Sequence, residues 1–245
     1  MKKVLVALFA FVGFSAAHAQ FTSNLGLASD YRFRGVSQTQ NGPAIQGGLD
    51  YAHSSGLYVG NWNSSVSSQL YTKGAGIESD LYAGWKKDVY KGITVDLGSY
   101  NYFYPGASNG TNPTFNTNEL YAGVGYGPVS VKYSQTLGSY FGTPNSNGSN
   151  YSQADVNQSL APLSDKLKDL SVVAHYGHTI VTKNSGLNYN DINFGAVYTL
   201  PQAWNLGVRY YINTATTSTF TSANTINGQQ LYKSAVVATL TKTFE

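Results

Sequence analysis

Apolar and polar residues alternate along most of this chain, and this alternation limits what the chain can fold into. In residues 21–34 the odd positions are mainly apolar or aromatic and the even positions are small, polar or charged; residues 189–200 and 204–213 repeat the division. Successive side chains of a β-strand point to opposite faces, so a period of two indicates strands with one apolar and one polar face. No segment beyond residue 20 approaches the run of about 18 apolar residues that a membrane-spanning helix requires.

The composition indicates where the apolar face goes. Charged residues are 11% of the chain and aromatic residues 14%, with 20 Tyr, 26 Gly and no Cys. A soluble β-sandwich would also alternate, but it would carry many charges on its outer face, and soluble domains average about 25% charged residues. The small charge fraction favours an antiparallel, up-and-down transmembrane β-barrel, in which the apolar face contacts lipid and the polar face lines a lumen.

The first nineteen residues are predicted to be a signal peptide. Two lysines precede an apolar run of 11 residues at 4–14, and the small-x-small pattern Ala-His-Ala follows at 17–19. A membrane anchor is the alternative, but the run is short for a spanning helix, which needs about 20 residues. We therefore predict two parts, a cleaved leader at 1–19 and a barrel at 20–245.

Turn-forming residues divide the alternating sequence into about twelve strands. The predicted strands are 21–33, 44–53, 57–65, 77–87, 92–103, 116–126, 129–140, 150–160, 169–180, 189–200, 204–213 and 231–244. The segment 150–160 has the weakest pattern, but bacterial barrels have an even number of strands, with short turns at one end and longer loops at the other. With it included, the long links all fall at the same end, which favours twelve.

Charged residues on the polar faces are predicted to point into the lumen. They are Asp30, Arg32, Arg34, Asp50, Glu78, Asp80, Asp96, Glu119, Lys132, Asp155, Asp191, Arg209 and Lys233. The acidic residues concentrate on strands 2 to 6, and several of the basic ones lie on strands 1, 11 and 12, which become neighbours when the barrel closes. This pattern predicts an acidic wall facing a basic wall, with a field across the pore. Alternatively, the charges pair with one another and plug a narrow barrel.

Aromatic residues fall on both predicted faces. Those assigned to the lipid face are Tyr31, Phe33, Tyr58, Trp62, Trp85, Trp204 and Tyr210. Several lie near strand ends, as expected for interfacial girdles. Tyr100, Tyr102 and Tyr104 are predicted to point inward, either as a ladder that stacks on sugars or as side chains that fill space.

Catalytic and metal chemistry find little support in the sequence. His53-Ser54-Ser55-Gly56 resembles a pattern of outer-membrane phospholipases, but it lacks their Asn and falls in a predicted short turn. With no Cys, and with His175 and His178 on opposite faces of one strand, we predict no metal site, no cofactor and no enzymatic activity.

Several segments resemble the TorF family of proteobacterial porins. The most specific is Ser-Asp-Tyr-Arg-Phe-Arg-Gly-Val-Ser-Gln at 29–38, and further similar segments are 44–51, 56–62, 78–85 and 174–177. The resemblance implies an outer-membrane barrel of the porin type with an unassigned substrate. The chain departs from the usual aromatic C-terminus of such barrels, because Phe244 is followed by Glu245.

These observations predict a porin-like channel in the outer membrane of a Gram-negative bacterium, passing small hydrophilic solutes by diffusion as a monomer or an oligomer. Its other expected partners are outer-membrane lipid and the barrel-assembly machinery. Without the two leader lysines the chain has 13 basic and 12 acidic side chains, a balance that argues against binding nucleic acid. Two alternatives are a structural or adhesive barrel with a closed lumen and an outer-membrane lipid-modifying enzyme.

Overall fold

The computed structural model describes residues 20–70, 75–107 and 114–245, and within these ranges twelve antiparallel strands close into one barrel. The strands are β1 Gln20–Ala28, β2 Ala44–Ala52, β3 Leu57–Ser65, β4 Ile77–Tyr90, β5 Ile93–Phe103, β6 Thr117–Tyr126, β7 Val129–Thr136, β8 Asn150–Ser159, β9 Leu170–Ile180, β10 Tyr189–Leu200, β11 Trp204–Asn213 and β12 Ala235–Phe244. Each strand pairs with its neighbours in the chain, and β1 also pairs with β12. The predicted fold and strand number are confirmed, including the eighth strand. The predicted leader lies outside the described residues.

The outer face of the barrel is apolar and exposed. Leu25 is 55% exposed, Ile45 62% and Val131 51%, whereas the polar Ser64 and Thr136 are buried on the inside. This is the inverse of a soluble domain and excludes the β-sandwich, because exposed apolar side chains cover the wall on all sides. The arrangement is that of a transmembrane barrel.

Within the described residues, no helix is both long and apolar enough to cross a bilayer.

The first predicted strand is too long, and its second half folds into the barrel. Strand β1 ends at Ala28, and residues Arg32–Phe33 pair with Val36–Ser37 as a small separate hairpin. Arg34 and Gly35 have φ angles of +46° and +76°, the left-handed conformation that a tight two-residue turn requires. The alternation continues through this segment because the hairpin is itself extended. We call residues 32–37 the inner hairpin.

The long loops cover one end of the barrel, where most of the buried apolar residues lie. Tyr31 and Tyr102 belong to one cluster, against which Phe33 and Phe141 pack. Phe220, on the short helix α1 (Ser218–Ala223), packs in a second cluster with Val36 and other side chains. We call this the long-loop end, and the opposite side the short-turn end.

Four aromatic residues predicted to face lipid lie inside the barrel. Leu57 and Val59 are the exposed residues of β3, so Tyr58 and Trp62 point inward and line the lumen. Tyr31 is buried, and Phe33 lies on the inner hairpin. The lipid-face prediction was therefore wrong for Tyr31, Phe33, Tyr58 and Trp62. Trp85, Trp204 and Tyr210 lie at outward positions of their strands.

Candidate functional site

The barrel encloses a cavity of about 380 Å³ that runs along the lumen. Predicted charged residues that line it are Asp30, Arg32, Arg34, Asp50, Asp96, Glu119, Lys132, Asp155, Asp191 and Arg209. Glu78 and Asp80 are completely buried on β4, closer to the long-loop end. Lys233 does not lie in the lumen: β12 begins only at Ala235, and Lys233 occupies an exposed turn.

Lys86 also lines the cavity, although it is not among the predicted lumen residues. Lys86 is eight positions after Glu78 on the same strand, and residues separated by an even number share a face. The alternation along β4 therefore assigns Lys86 to the lumen face together with Glu78.

The two arginines of the inner hairpin are held by carboxylates. The Nε atom of Arg32 lies 2.7 Å from Oδ2 of Asp30, and its Nη1 donates to the carbonyl of Lys233 at 2.7 Å. The Nη2 atom of Arg34 lies 2.7 Å from Oε2 of Glu119 on β6. The side chains of both arginines are almost fully buried.

These contacts contradict the predicted separation into an acidic and a basic wall. Arg32 and Arg34 do not lie on β1, and Lys233 lies outside the lumen, so three of the four basic residues assigned to one wall are elsewhere. Arg34 places its charge beside Glu119, on the wall expected to be acidic. Arg32 and Arg34 are therefore paired with carboxylates at short range, as in the alternative of charges that pair and plug the barrel.

The inner hairpin contacts two strands of the barrel wall, β6 and β10, which are four strands apart. While Arg34 contacts Glu119 on β6, the neighbouring Gly35 lies so close to β10 that a Cβ added there would stand 2.6 Å from Cβ of Asp191. A glycine is required at this position for its left-handed φ and for this close approach. The hairpin thus lies inside the lumen and narrows it.

Lumen tyrosines pack against glycines of the adjacent strands. A Cβ added at Gly60 would overlap the ring of Tyr82, one at Gly84 would overlap Tyr58, and one at Gly177 would overlap Tyr151. A residue without a side chain leaves room for a large ring beside it, so these pairs set the inner contour of the barrel.

The same tyrosines donate hydrogen bonds to carboxylates of the lumen. Tyr82 Oη donates to Oδ1 of Asp50 at 2.6 Å, and Tyr58 Oη donates to Oδ1 of Asp96 at 2.7 Å. Tyr58 and Tyr121 are also in hydroxyl–hydroxyl contact. These bonds satisfy carboxylates that have no arginine partner, because a charge-assisted hydrogen bond replaces part of the lost hydration.

Tyr100 and Tyr102, predicted to point inward, do so. Tyr100 stacks on Tyr82, with ring centres 5.1 Å apart and an interplanar angle of 9°, and Tyr102 lies 4.7 Å from Tyr100. Tyr104 is buried in the aromatic cluster at the long-loop end. Because the rings cover one another, their faces are not free to stack on sugars. These tyrosines therefore fit the alternative of side chains that fill space.

We expect the Gly60→Ala substitution to lower the free energy of unfolding by about 1–3 kcal/mol, the usual cost of overpacking. The added methyl group would displace the ring of Tyr82 and the carboxylate of Asp50. Urea unfolding in lipid vesicles would measure the loss, and the same substitution in a Tyr82→Leu background should cost less. An equal loss in both backgrounds would show that the two residues are not coupled.

Two lumen cations lack a carboxylate partner within the described part of the chain. Arg209 donates from Nη1 to Oδ1 of Asn193 at 3.0 Å, and its Nε is buried with no hydrogen bond there. Lys132 Nζ lies 5.3 Å from the ring centre of Tyr121. Neither residue forms an ion pair in the described ranges, so both leave positive charge facing the cavity.

His175 lies in the lumen between two carboxylates. Its Nδ1 is 2.6 Å from Asp155 and its Nε2 is 3.1 Å from Asp191, with the hydroxyl of Tyr151 2.8 Å from the same Nε2. His178 points to the other face, where it contacts Asn190. In the residues that the structure describes, no group of three or more His, Asp or Glu side chains has the arrangement of a metal site.

The segment that resembles a phospholipase pattern lies in an exposed turn. His53 Nδ1 is 2.8 Å from Oγ of Ser55, and this turn joins β2 to β3 at the short-turn end. The His–Ser contact is a local one within three residues of the chain.

Fold and lumen together define a class of protein: a twelve-stranded barrel with an apolar outer face and a charged interior, the architecture of small porins. The chain belongs to the family Gcw_chp, described as bacterial protein of unknown function, whose model matches residues 14–244.

Solved porin structures have the same fold at very low sequence identity. The KdgM porin superposes with a TM-score of 0.56 at 7% identity, covering 91% of this chain and 98% of that one. The NanC porin gives 0.55 at 8% identity, covering 92% of this chain and 100% of that one. A further structure is titled as the KdgM porin in complex with disordered oligogalacturonate, with a TM-score of 0.54, 8% identity, and coverage of 93% of this chain and 98% of that one. No curated protein matches this chain in sequence.

Proposed function

We propose that this protein is an outer-membrane channel through which small hydrophilic solutes diffuse passively. The observation that carries the proposal is the polar cavity inside an otherwise lipid-facing barrel. Charged side chains in a dry interior would each cost several kcal/mol, so a cavity lined by them favours water inside. In such barrels the lumen residues tune the selectivity for solutes, and the lipid-facing residues hold the barrel in the membrane.

Four further expectations belong to the same proposal. The chain is exported by its leader, inserted by the barrel-assembly machinery, and held in the outer membrane of a Gram-negative bacterium. Its function is transport and not catalysis. The segment at 29–38 supports a relationship to TorF-type porins, and the fold shared with KdgM and NanC supports a solute channel.

The charge balance supports a channel with little preference between cations and anions. Six carboxylates and five lysine or arginine side chains line the cavity. Because several of them are paired, the remaining field on a passing ion is small. A neutral or zwitterionic solute would therefore meet no strong electrostatic barrier.

Planar-bilayer recording of the refolded mature chain tests the proposal. We expect ionic conductance, with a reversal potential close to zero in a KCl gradient. Removing two unpaired cations with Lys132→Gln and Arg209→Gln should shift the reversal potential towards cation selectivity, whereas Lys168→Gln, in an exposed link at the short-turn end, should not. Folded protein that conducts no current would overturn the proposal.

The inner hairpin favours one alternative, a barrel with a closed lumen. Its contacts with β6 and β10 place backbone and aromatic side chains within the passage. Liposome swelling with sugars of graded size separates the two functions, because a closed barrel admits none of them and a narrow channel admits the smallest.

A further inference from the structure

One sector of the outer wall, on β3 to β6, carries polar side chains. The exposed Leu57, Leu81 and Leu97 mark the outward positions of β3, β4 and β5, and Leu120 marks those of β6, because residues separated by an even number share a face. Six outward positions on these strands hold amide or hydroxyl side chains, and they are Asn61, Asn63, Ser79, Ser99, Asn101 and Asn118. We call these six residues the polar patch.

The polar patch is continuous across the four strands. Leu81 pairs with Asn61 on one side and with Asn101 on the other, and Asn101 pairs in turn with Asn118. Neighbouring strands lie about 4.8 Å apart, so the patch is about 15 Å wide. It therefore forms a surface of its own on the barrel wall.

Apolar residues lie between the patch and the long-loop end. On β4 the exposed Ile77 is closer to that end than Ser79, and on β5 the outward Phe103 is closer to it than Asn101. The exposed Ile45 on β2 also lies at that end. Polar side chains at the edge of the apolar band would reach headgroups and water. These lie inside the band, where a polar group facing hydrocarbon is costly.

Hydrogen bonds within the patch leave two amides incomplete. Asn63 donates to Oδ1 of Asn61, and Asn118 donates to Oδ1 of Asn101. Asn61 and Asn101 donate in turn to backbone carbonyls of β4 at 2.8 and 3.0 Å. The side-chain carbonyls of Asn63 and Asn118 accept no hydrogen bond from the described residues, and each of these amides has a second N–H to donate. The patch therefore offers donors and acceptors to a partner in the membrane.

The chemistry of the patch fits an identical patch on a second copy of the chain. Because an amide both donates and accepts, an amide surface is complementary to itself across a two-fold axis. The six side chains are uncharged, so two copies would not repel each other there. Ser79 and Ser99 are small, and small residues with hydrogen-bonding side chains are typical of protein contacts within membranes.

We propose that the polar patch is the contact between two copies of this protein in the membrane, related by a two-fold axis. The contact lies on the outer wall and is independent of conduction through the lumen.

Chemical cross-linking in lipid vesicles tests which face forms the contact. The chain has no cysteine, so a single introduced cysteine can be linked only to another copy. Ser79→Cys and Ser99→Cys, with a short bifunctional thiol reagent, should give a cross-linked dimer. The control is Ala196→Cys, an outward position on β10, six strands away from β4 and thus on the opposite side of the barrel. Equal cross-linking at the patch and at the control position would overturn the proposal.

Energy transfer between labelled copies, measured over a range of protein-to-lipid ratios, gives the dissociation constant of the dimer. Asn63→Leu with Asn118→Leu removes the two incomplete amides and leaves the bonds of Asn61 and Asn101 to β4. We expect the dissociation constant to rise roughly tenfold, because hydrogen bonds between the copies are lost. Val208→Leu, on the opposite wall, should leave it unchanged. A monomer at every ratio, as expected if the patch meets only lipid headgroups, or an unchanged constant in the double variant would contradict the proposal.

Discussion

Shortening the inner hairpin should raise the single-channel conductance several-fold. Arg32 and Ser37 pair directly, so residues 33–36 can be replaced by Asn-Gly, a sequence that favours a two-residue hairpin turn. The change removes Phe33 and Arg34 from the lumen and keeps the bonds of Asp30 to Arg32 and Ser37. Glu119→Gln is added, because a buried carboxylate left without its partner would destabilise the barrel.

Planar-bilayer recordings of the shortened and wild-type proteins measure this effect. The control shortens a different hairpin, Thr225–Ile226 with Gln229–Gln230, which lies at the long-loop end and does not line the lumen cavity. An unchanged conductance in the shortened protein would mean that the inner hairpin does not form the narrowest part of the passage. A conductance gained only after shortening would favour the closed barrel as the resting form.

The second large effect concerns the lipid face, where Leu25→Arg should destabilise the barrel while Asn24→Arg should be tolerated. These two residues are adjacent on β1; Leu25 points outward, and Asn24 lines the lumen. An arginine on the lipid face costs about 2–4 kcal/mol at the bilayer midplane. The neighbouring inward position is in contact with the polar cavity, so the same side chain should find water there.

Urea unfolding of both variants in lipid vesicles measures the difference in the free energy of unfolding. Leu25→Ala serves as a further control, because it removes the leucine side chain without adding charge. Equal destabilisation by the two arginine substitutions would contradict the assignment of the outer face to lipid. The comparison uses one strand and one side chain type, so it isolates the direction in which the residue points.

The local alternation of apolar and polar residues was sufficient to predict most of the strands of the barrel. Strands β2, β3 and β6 differ from the predicted segments by no more than one residue at either end. The weakly patterned eighth strand was recovered by strand parity, a global constraint of closed barrels. Lumen positions such as Asp50, Asp96 and Lys132 followed from alternation, because parity along a strand determines the face of every residue once one face is assigned.

The predictions that were wrong concern strands in which both alternating sets of residues contain large apolar or aromatic side chains, so that either set could face lipid. On β3 the prediction assigns Tyr58 and Trp62 to the lipid face as girdle residues. Leu57 and Val59 belong to the other alternating set and are equally suited to contact lipid. The structure places Tyr58 inside because Gly84 on the adjacent strand leaves room for its ring. Which of the two sets faces lipid therefore depends on residues of the neighbouring strand, and the periodicity of one strand carries no information about them.

Three sequence features together, the alternating pattern, the low charge fraction and the even strand number, determined that this chain forms an antiparallel barrel of twelve strands with an apolar exterior. They did not determine what fills the lumen. The segment from Asp30 to Ser37 alternates whether it extends β1 or folds back as a hairpin, and only the tertiary structure placed it inside. Arg34 and Glu119, 85 residues apart in sequence, meet there, because closing the barrel brings distant strands around a narrow space in which a buried charge must find a partner.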